Sequence, residues 1–324
     1  MSLSKVSVVI PAYNAASTIG ACLDALARQD YAGEIETVVV DDGSTDTTAQ
    51  IVSSFSRVML VRQTNAGPAA ARNAGFARSG GVIVFFTDAD CRPRADWISR
   101  MMRAFEDSAA GAAAGSYGIV NDRSLLARCI HAEILYRHHH LMGQWITVFG
   151  SYNVAFRREV FLQAGGFNEA YRHASGEDND LSYRLSEAAV RICFVKEALV
   201  DHVHPQRVGR YLFEQFRHGV WRARLYRDHP EQIRGDGYTF FKDVLEVPLS
   251  LVLLGSLLWG LCGWPWFALS MVLAMLMMEC FFARCFGLRG IKPIVFYGVV
   301  MMARAVARTS GLLWGVFKVG LQKN

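Results

Sequence analysis

The chain has 324 residues, of which 52% are hydrophobic and 19% charged. This composition excludes a disordered tail protein and a polybasic nucleic-acid-binding arm. The net charge of +5 is modest, and we expect no nucleic acid among the partners. Seven cysteines are scattered without a Cys-x-x-Cys pair, which indicates reduced thiols rather than a disulfide framework or a zinc module.

Short β-rich runs alternate with helical patterns in the N-terminal part of the chain. The predicted strands are Val6–Ile10, Thr37–Asp41, Val58–Val61 and Val82–Thr87, and the predicted helices are Ser17–Arg28, Thr45–Phe55 and Gly67–Ala77. This alternation predicts an α/β domain with a mainly parallel sheet flanked by helices. Such sheets bind ligands beyond the carboxyl ends of their strands, so the polar residues there are the first candidates for a site.

Asp88 and Asp90 follow the fourth predicted strand. Positions i and i+2 of an extended segment project to the same side, so both carboxylates can face one cation. Hard oxygen ligands favour Mg²⁺ or Mn²⁺. The alternative is a pair of turn-forming aspartates ahead of the next helix.

Two further polar segments follow predicted strands. In the loop Asp41–Asp46, either Asp41 or Asp42 can accept hydrogen bonds from a nucleobase or a ribose, although the loop also suits helix capping. Arg72 lies one turn into an alanine-rich helix, where it can support a diphosphate or serve as a surface cation. The chain has no Walker A or Gly-x-Gly-x-x-Gly motif, which counts against kinases, ATPases and nicotinamide enzymes.

Four of these motifs occur in an order that resembles the inverting glycosyltransferase family 2. They are Val8-Val9-Ile10-Pro11-Ala12-Tyr13-Asn14, the loop Asp41–Asp46, Asn65-Ala66-Gly67 with Arg72-Asn73, and Asp88-Ala89-Asp90. The resemblance implies the GT-A fold of nucleotide-diphospho-sugar transferases. It also implies nucleotide contacts by Pro11, Tyr13, Asp41, Asp42, Arg72 and Asp88, and metal binding by Asp88 and Asp90.

A later acidic segment extends the resemblance. Gly176 precedes Glu177-Asp178-Asn179-Asp180, and carboxylates at such a helix start favour the positive end of the helix dipole. Capping is therefore one interpretation. The resemblance implies instead that Asp178 is the general base, with Glu177 as the second choice, because a carboxylate there can deprotonate the acceptor hydroxyl.

His202 and His204 lie on one side of an extended segment. The resemblance makes either a metal or diphosphate contact, and we predict His204 because it lies nearer the following loop. Farther on, Gln215, Arg217 and Trp221 depart from the spacing of the Gln-x-x-Arg-Trp motif of processive synthases. This departure favours the transfer of single sugars.

The C-terminal part is strongly apolar. Val247–Met278 contains no charged residue and is interrupted by Gly263-Trp264-Pro265-Trp266. Since a spanning helix needs about 20 apolar residues, we predict a hairpin of two spans, Val244–Leu261 and Trp266–Phe282. The positive-inside rule places both hairpin ends in the cytoplasm, because the second span is followed by Arg284, Arg289 and Lys292. The alternative is a buried helical pair in a soluble protein.

Past Pro293, another apolar segment carries Arg304, Arg308 and Lys318 on one helical stripe. This pattern predicts a helix lying in the membrane interface, with its cations facing anionic lipid phosphates. A third span is the alternative, but it would place two arginines within the membrane.

Together these patterns predict a catalytic domain at residues 1–240 and a membrane region at 241–324. The resemblance implies a bacterial-type inner-membrane enzyme whose catalytic domain faces the cytoplasm. Its expected partners are a nucleotide-diphosphate sugar donor, a saccharide or polyprenyl-linked acceptor, and membrane lipids. A non-catalytic sugar-nucleotide-binding regulator is the alternative. A transporter is disfavoured because no ionisable residue lies mid-span.

Overall fold

The computed structural model describes residues 4–172, 176–260 and 265–321. The chain forms two compact units. The first comprises Met1–Val120 and Met142–Val203, and the second comprises Asn121–Leu141 and His204–Asn324. The second unit thus begins earlier than the predicted membrane region and also takes a segment from the middle of the chain.

All nine strands of the described residues belong to the first unit. They are β1 (Val6–Ala12), β2 (Ile35–Asp41), β3 (Val58–Arg62), β4 (Ile83–Thr87), β5 (Cys91–Pro93), β6 (Ala110–Ile119), β7 (Trp145–Ile146), β8 (Asn153–Arg157) and β9 (Arg191–His202). They form one sheet in the order β3-β2-β1-β4-β8-β6-β9-β5, with β7 also paired to β9. The strands β5, β7 and β8 run opposite to the others, so the sheet is mainly parallel, as predicted.

Helices cover the sheet and build the second unit. They are α1 (Ile19–Leu26), α2 (Thr48–Ser53), α3 (Pro68–Arg78), α4 (Trp97–Ala104), α5 (Leu125–His140), α6 (Arg158–Gln163), α7 (Glu177–Glu187), α8 (Val208–Asp228), α9 (Phe241–Gly260), α10 (Pro265–Cys285) and α11 (Ile291–Leu321). The second unit contains α5 and α8 to α11.

The core of the first unit lies on both faces of the sheet. Along β1, Val8 and Ile10 pack into one apolar cluster while Val9 packs into the other, as the two-residue period of a strand requires. Both clusters are apolar because a parallel strand covered on both faces has no side exposed to water. This burial fixes the carboxyl ends of the strands at one edge.

The C-terminal helices only partly match the predicted membrane region. Among the described residues, α10 alone is long and apolar enough to cross a bilayer. The other predicted span, Val244–Leu261, is helical through Gly260, and Leu261 with Gly263 and Trp264 lies outside the described residues.

The prediction that Arg304 and Arg308 face lipid phosphates is wrong. Arg304 is buried and donates hydrogen bonds to Glu133 (2.9 Å) and Glu246 (2.7 Å). Arg308 donates to Gln215 of α8 (2.6 Å). Both side chains point into the helical unit, because the carboxylates of Glu133 and Glu246 and the amide of Gln215 accept their hydrogen bonds there. Acyl chains of lipids offer no such acceptors.

Candidate active site

The segments that follow β1 and β2 are joined by hydrogen bonds. The backbone N–H of Asn14 donates to Ser44 Oγ (2.9 Å), and the N–H of Thr45 donates to Asn14 Oδ1 (2.9 Å). Pro11 lies at the end of β1, and the Tyr13 side chain beyond it is 54% exposed. The predicted nucleotide contacts therefore include an exposed aromatic ring next to two loops that are hydrogen-bonded to each other.

Asp41 and Asp42 are nearly buried and hold neighbouring backbone groups. Asp41 Oδ1 accepts a hydrogen bond from the N–H of Ser44 (3.0 Å). The two carboxylate oxygens of Asp42 accept hydrogen bonds from the N–H groups of Ala66 and Gly67 (2.9 Å each). Asp42 thus fixes the start of α3, whether or not it also contacts a ligand.

Arg72 of α3 connects two acidic segments that are far apart in the sequence. Its Nη2 donates to Asp88 Oδ1 (2.7 Å), and its Nη1 donates to Glu177 Oε1 (3.0 Å). The guanidinium is buried and lies 5.3 Å from the ring centroid of Phe167. The end of β4, the α3 helix and the start of α7 therefore meet at this arginine.

Strand pairing brings a histidine to Asp90. In the register of β5 and β9, Cys91 lies opposite His202, and His202 Nε2 is 3.4 Å from Asp90 Oδ2. Burial is the largest single influence on the pKa of Asp90 and would raise it, but the hydrogen bond and charge of His202, together with weaker hydrogen bonds, lower that pKa overall. Burial would conversely lower the pKa of His202, but Asp90 raises it.

The donor atoms at this edge fit a divalent cation. The side chains of Asp88 and Asp90 are 32% and 43% exposed, so their oxygens are open to a ligand, and His202 adds a nitrogen next to Asp90. Asp90, Cys91 and His202 form a cluster with metal-ligand spacing. Burial raises the pKa of the Cys91 thiol well above its ordinary value, which leaves the carboxylates and the imidazole as the donors.

Asp178 differs from its neighbour Glu177. The carboxylate of Glu177 is buried against Arg72, whereas half-buried Asp178 forms no ion pair among the described residues. Its Oδ1 accepts a hydrogen bond from the N–H of Asn179 (2.9 Å). Burial and the charge of Glu177 raise the pKa of Asp178 to about 7, against the opposing effect of Arg72. A carboxyl group in this range can accept a proton near neutral pH.

Comparisons with known proteins identify the family. Residues 7–165 match "Glycosyl transferase family 2", and residues 131–207 match "N-terminal domain of galactosyltransferase". An N-acetylglucosaminyltransferase of Mesorhizobium japonicum is 31% identical over 316 residues, which cover 85% of this chain and 71% of the relative. The chain belongs to glycosyltransferase family 2.

Further similarities agree with this assignment. A glycosyltransferase of Haloferax volcanii is 30% identical to this one over 234 residues, covering 69% of this chain and 75% of that one. The structure of a Pyrobaculum calidifontis mannosyltransferase, in complex with GDP-Man and Mn²⁺, superposes with a TM-score of 0.61 at 23% identity. That match covers 96% of this chain and 87% of the other, and it confirms the GT-A fold. The protein is therefore a glycosyltransferase with the GT-A fold.

The structure gives the two histidines of this glycosyltransferase different partners. His204 belongs to the second unit, where its Nε2 lies 3.3 Å from His131 Nδ1 and its backbone pairs with Asn121. His202 belongs to the first unit, beside Asp90. The geometry therefore favours His202 over the predicted His204, because β9 ends at His202 and its pairing with β5 stops there.

Two supporting residues of the glycosyltransferase were not given roles from the sequence. Asn73 donates from Nδ2 to the carbonyl oxygen of Phe167 (2.8 Å), and the N–H of Phe167 donates to Asn73 Oδ1 (2.9 Å). This pair holds the Phe167 ring near Arg72. The signal was available, since Asn73 follows Arg72 directly and Phe167 follows a Gly-Gly pair.

Proposed function

We propose that this glycosyltransferase catalyses inverting transfer of one sugar from a nucleotide-diphosphate donor to a hydroxyl group, with Asp178 as the general base. The observation that carries the proposal is the double contact of Arg72 with Asp88 and Glu177. This contact places the Asp-x-Asp segment next to the helix start that bears Asp178. A site for donor phosphates and a base for the acceptor are thereby adjacent.

The donor end of the site is formed by the strand ends. Asp88, Asp90 and His202 would hold Mg²⁺ or Mn²⁺, which when bound offsets the charge of the departing diphosphate. Tyr13 offers an exposed ring for the nucleobase. Asp41 and Asp42 are buried and accept hydrogen bonds from backbone N–H groups, so they would hold in position the loops that surround the base and ribose. The N-acetylglucosaminyltransferases among the relatives make UDP-N-acetylglucosamine the first donor to test, and the GDP-Man complex makes GDP-mannose the second.

The acceptor end is formed by the start of α7. Asp178 would take the proton of the acceptor hydroxyl as its oxygen attacks the anomeric carbon from the face opposite the diphosphate. The C–O bond to the diphosphate breaks as the new glycosidic bond forms, through an oxocarbenium-like state, and the configuration inverts. Glu177 would keep Arg72 in position throughout, because it is already paired with it.

The acceptor is proposed from the C-terminal helices. Large apolar side chains of α9 and α10 are exposed, including Leu257, Trp266 and Met277. Exposed apolar surface of this extent marks an interaction site rather than a water-facing one. We therefore favour a polyprenyl-linked saccharide as acceptor, at the cytoplasmic face of the inner membrane.

The test is a transfer assay with the full chain in lipid vesicles. The expected result is Mn²⁺- or Mg²⁺-dependent transfer from UDP-N-acetylglucosamine to a lipid-linked saccharide, with an inverted anomeric centre seen by NMR. A retained anomeric centre contradicts the mechanism, and transfer only to soluble sugars contradicts the acceptor. Thermal shifts with a panel of nucleotide diphosphates would identify the base. Nucleotide binding without any turnover would favour the non-catalytic regulator.

A further inference from the structure

The C-terminal helices have an inverted distribution of polar and apolar side chains. Lys242, Glu246, Glu279 and Arg304 are at most 4% exposed. Lys242 Nζ lies 2.8 Å from Glu246 Oε1 and 3.0 Å from Glu279 Oε2, and Arg304 Nη2 lies 2.7 Å from Glu246 Oε1. A helix of a water-soluble protein turns its charges outward. Here the charges face one another and the apolar side chains face outward.

The outward side chains form a continuous apolar stripe on α10. Leu269, Leu273, Met277 and Phe281 follow one another at four-residue spacing and are 47–67% exposed. On α9, the exposed apolar side chains are Phe241, Val244, Leu251, Val252 and Leu257. We call these side chains, with Trp266, the outer face. The stripe extends along nearly all of α10, including the end at which Glu279 is buried.

Helix α8 is bound closely to α11. A Cβ atom on Gly219 would lie 2.1 Å from the carbonyl oxygen of Arg308, and one on Gly311 would lie 2.0 Å from that of Phe216. The two helices therefore touch backbone to backbone. Helix α8 is strongly basic, because it carries Arg210, Arg217, Arg222, Arg224 and Arg227. Each arginine at the centre of a membrane costs at least about 2.5–3.5 kcal/mol, so α8 belongs in water.

The same stretch of α11 that contacts α8 also contacts the hairpin. Met301 Sδ lies 3.9 Å from the Tyr211 hydroxyl of α8. One turn farther, Ala305 packs in a cluster with Leu253 of α9 and Met275 of α10. Hence α8 lies beside the hairpin rather than below it. If α9 and α10 crossed the bilayer upright, the arginines of α8 would be carried into the bilayer with them.

We propose that the outer face lies in the plane of the membrane, embedded in one leaflet of anionic phospholipid, and that no described segment crosses the bilayer. Three exposed cations lie at the end of α10, in the following turn and at the start of α11, and would reach the lipid phosphates at the edge of the outer face; they are Arg284, Arg289 and Lys292. Charged residues are absent from Val247–Met278, which suits contact with acyl chains. The inference refines the membrane association proposed above and does not depend on the catalytic assignment.

The experiment compares the depths of two probes on the outer face. A cysteine replaces Trp266 in one variant and Phe281 in another, both on a full chain in which Cys262 and Cys285 are serine. Each variant carries a fluorophore and is reconstituted into phosphatidylcholine–phosphatidylglycerol vesicles. The vesicles contain, in the outer leaflet only, lipids with a nitroxide either near the headgroup or near the chain end, because an upright helix would place the two probes near opposite membrane surfaces. The two positions are about 22 Å apart along α10, so an upright helix separates their depths by a similar amount.

An in-plane hairpin predicts that the shallow nitroxide quenches both probes to a similar degree. It also predicts that, in matched samples without the fluorophore, a membrane-impermeant maleimide trapped in the lumen labels neither introduced cysteine. Unequal depths, or labelling of either cysteine from the lumen, would overturn the proposal in favour of a spanning hairpin. No quenching at either position would overturn it in favour of a protein partner. Leu269→Cys and Met277→Cys provide a second pair should either variant be unstable, and Arg210→Cys on α8 is the water-exposed control.

Discussion

Each of the two units contains a cluster of charged side chains. The two clusters differ in the balance of acids and cations and in their access to solvent. In the first unit, the site cluster has one arginine for four carboxylates, and it consists of Arg72, Asp88, Asp90, Glu177 and Asp178 with His202 at its rim. In the second, the bundle cluster pairs its acids with nearly as many cations, and it consists of Glu133, Arg137, Lys242, Asp243, Glu246, Glu279 and Arg304.

This difference distinguishes a site from a structural network. The bundle cluster has three cations for four acids and is largely buried, with Asp243 its most exposed member at 23%, which leaves little reason for a ligand to bind there. The site cluster has an excess of negative charge, and Asp88 and Asp90 are partly exposed. An uncompensated, accessible set of carboxylates attracts a cation, and a carboxyl group with a raised pKa among them is a functional candidate.

The sharpest test of the site cluster is Asp178→Asn. The amide keeps the shape of the side chain but cannot accept the acceptor's proton, so we expect kcat to fall about 10²–10⁴-fold. Donor binding should change little, because Arg72 pairs with Glu177 rather than Asp178. Steady-state kinetics and nucleotide titration by calorimetry provide the two measurements. A variant with unchanged kcat would remove Asp178 from the mechanism.

A stability comparison tests the bundle cluster. Lys242→Met leaves the Glu279 carboxylate buried without its cation and removes one of the two cations paired with Glu246, so we expect a loss of about 3–5 kcal/mol of unfolding free energy. The double variant Lys242→Met, Glu279→Leu removes a buried charge of each sign and should recover much of that loss. The kcat per folded molecule should be unchanged in both.

The corresponding ion pair of the site cluster, Arg72 with Glu177, should behave differently from Lys242 with Glu279. Removing Arg72 and Glu177 together, as Arg72→Met with Glu177→Leu, should restore part of the stability lost in Arg72→Met. Activity should not return, because Asp88 loses the cation that pairs with it. The two single variants, Lys242→Met and Arg72→Met, and the two double variants are compared. Denaturant unfolding measures the recovery of stability, and transfer assays measure the recovery of activity. Recovery of activity in this double variant would make the site cluster a structural network as well.

The two histidines provide a smaller, more selective test. His202→Asn should weaken Mn²⁺ binding about 10–100-fold, since the imidazole lies beside Asp90 and either binds the metal or orients its ligand. His204→Asn is the control, because its ring pairs with His131 in the other unit. Mn²⁺ affinity measured by electron paramagnetic resonance should therefore fall only in the first variant. A loss of Mn²⁺ affinity only in His204→Asn would instead support His204, the histidine predicted from the sequence.

Local patterns in the sequence predicted the first four strands correctly, because each is an apolar run bounded by turn residues. The β6 strand was not predicted, since its alanines and glycines resemble a helix or loop. Its small residues are required by packing: a Cβ on Gly115 would lie 2.2 Å from the carbonyl oxygen of Ala198. Such tertiary requirements override propensity and are not visible in a window of sequence.

Tertiary contacts also limit how much of the candidate active site and of the bundle cluster can be predicted from sequence. Motif order gave Asp88, Glu177 and Asp178, which meet through Arg72. The choice between His202 and His204 depends on the register of β5 and β9, which local sequence does not reveal. Pairing of Glu246 with Arg304 likewise joins positions 58 residues apart, so local sequence does not reveal it, and the sequence pattern predicts instead that Arg304 faces lipid phosphates.

The pH dependence of transfer is the mildest prediction and depends on the site cluster alone. Burial and the neighbouring Glu177 raise the pKa of Asp178 to about 7, while Arg72 opposes them. The base is active only when deprotonated, so kcat/KM should rise about tenfold per pH unit below pH 7 and level off above it.

The free energy of unfolding should fall as the pH rises, whereas kcat/KM rises. The reason is that the Asp178 carboxyl has a pKa of about 3.9 in the unfolded chain, so it releases its proton more readily there than in the folded protein. Asp178 therefore does not lower the free energy of unfolding below about pH 4. Between about pH 4 and pH 7 it lowers that free energy progressively, because the unfolded carboxyl ionises and the folded one does not. Relative to the natural chain, Asp178→Asn should accordingly be more stable at about pH 8 than at about pH 4, as measured by denaturant unfolding at both values. A flat kcat/KM profile together with a pH-independent stability difference would mean that Asp178 titrates as an ordinary exposed aspartate. The contrast between an open, reactive cluster and a closed, structural one would then lose its chemical basis.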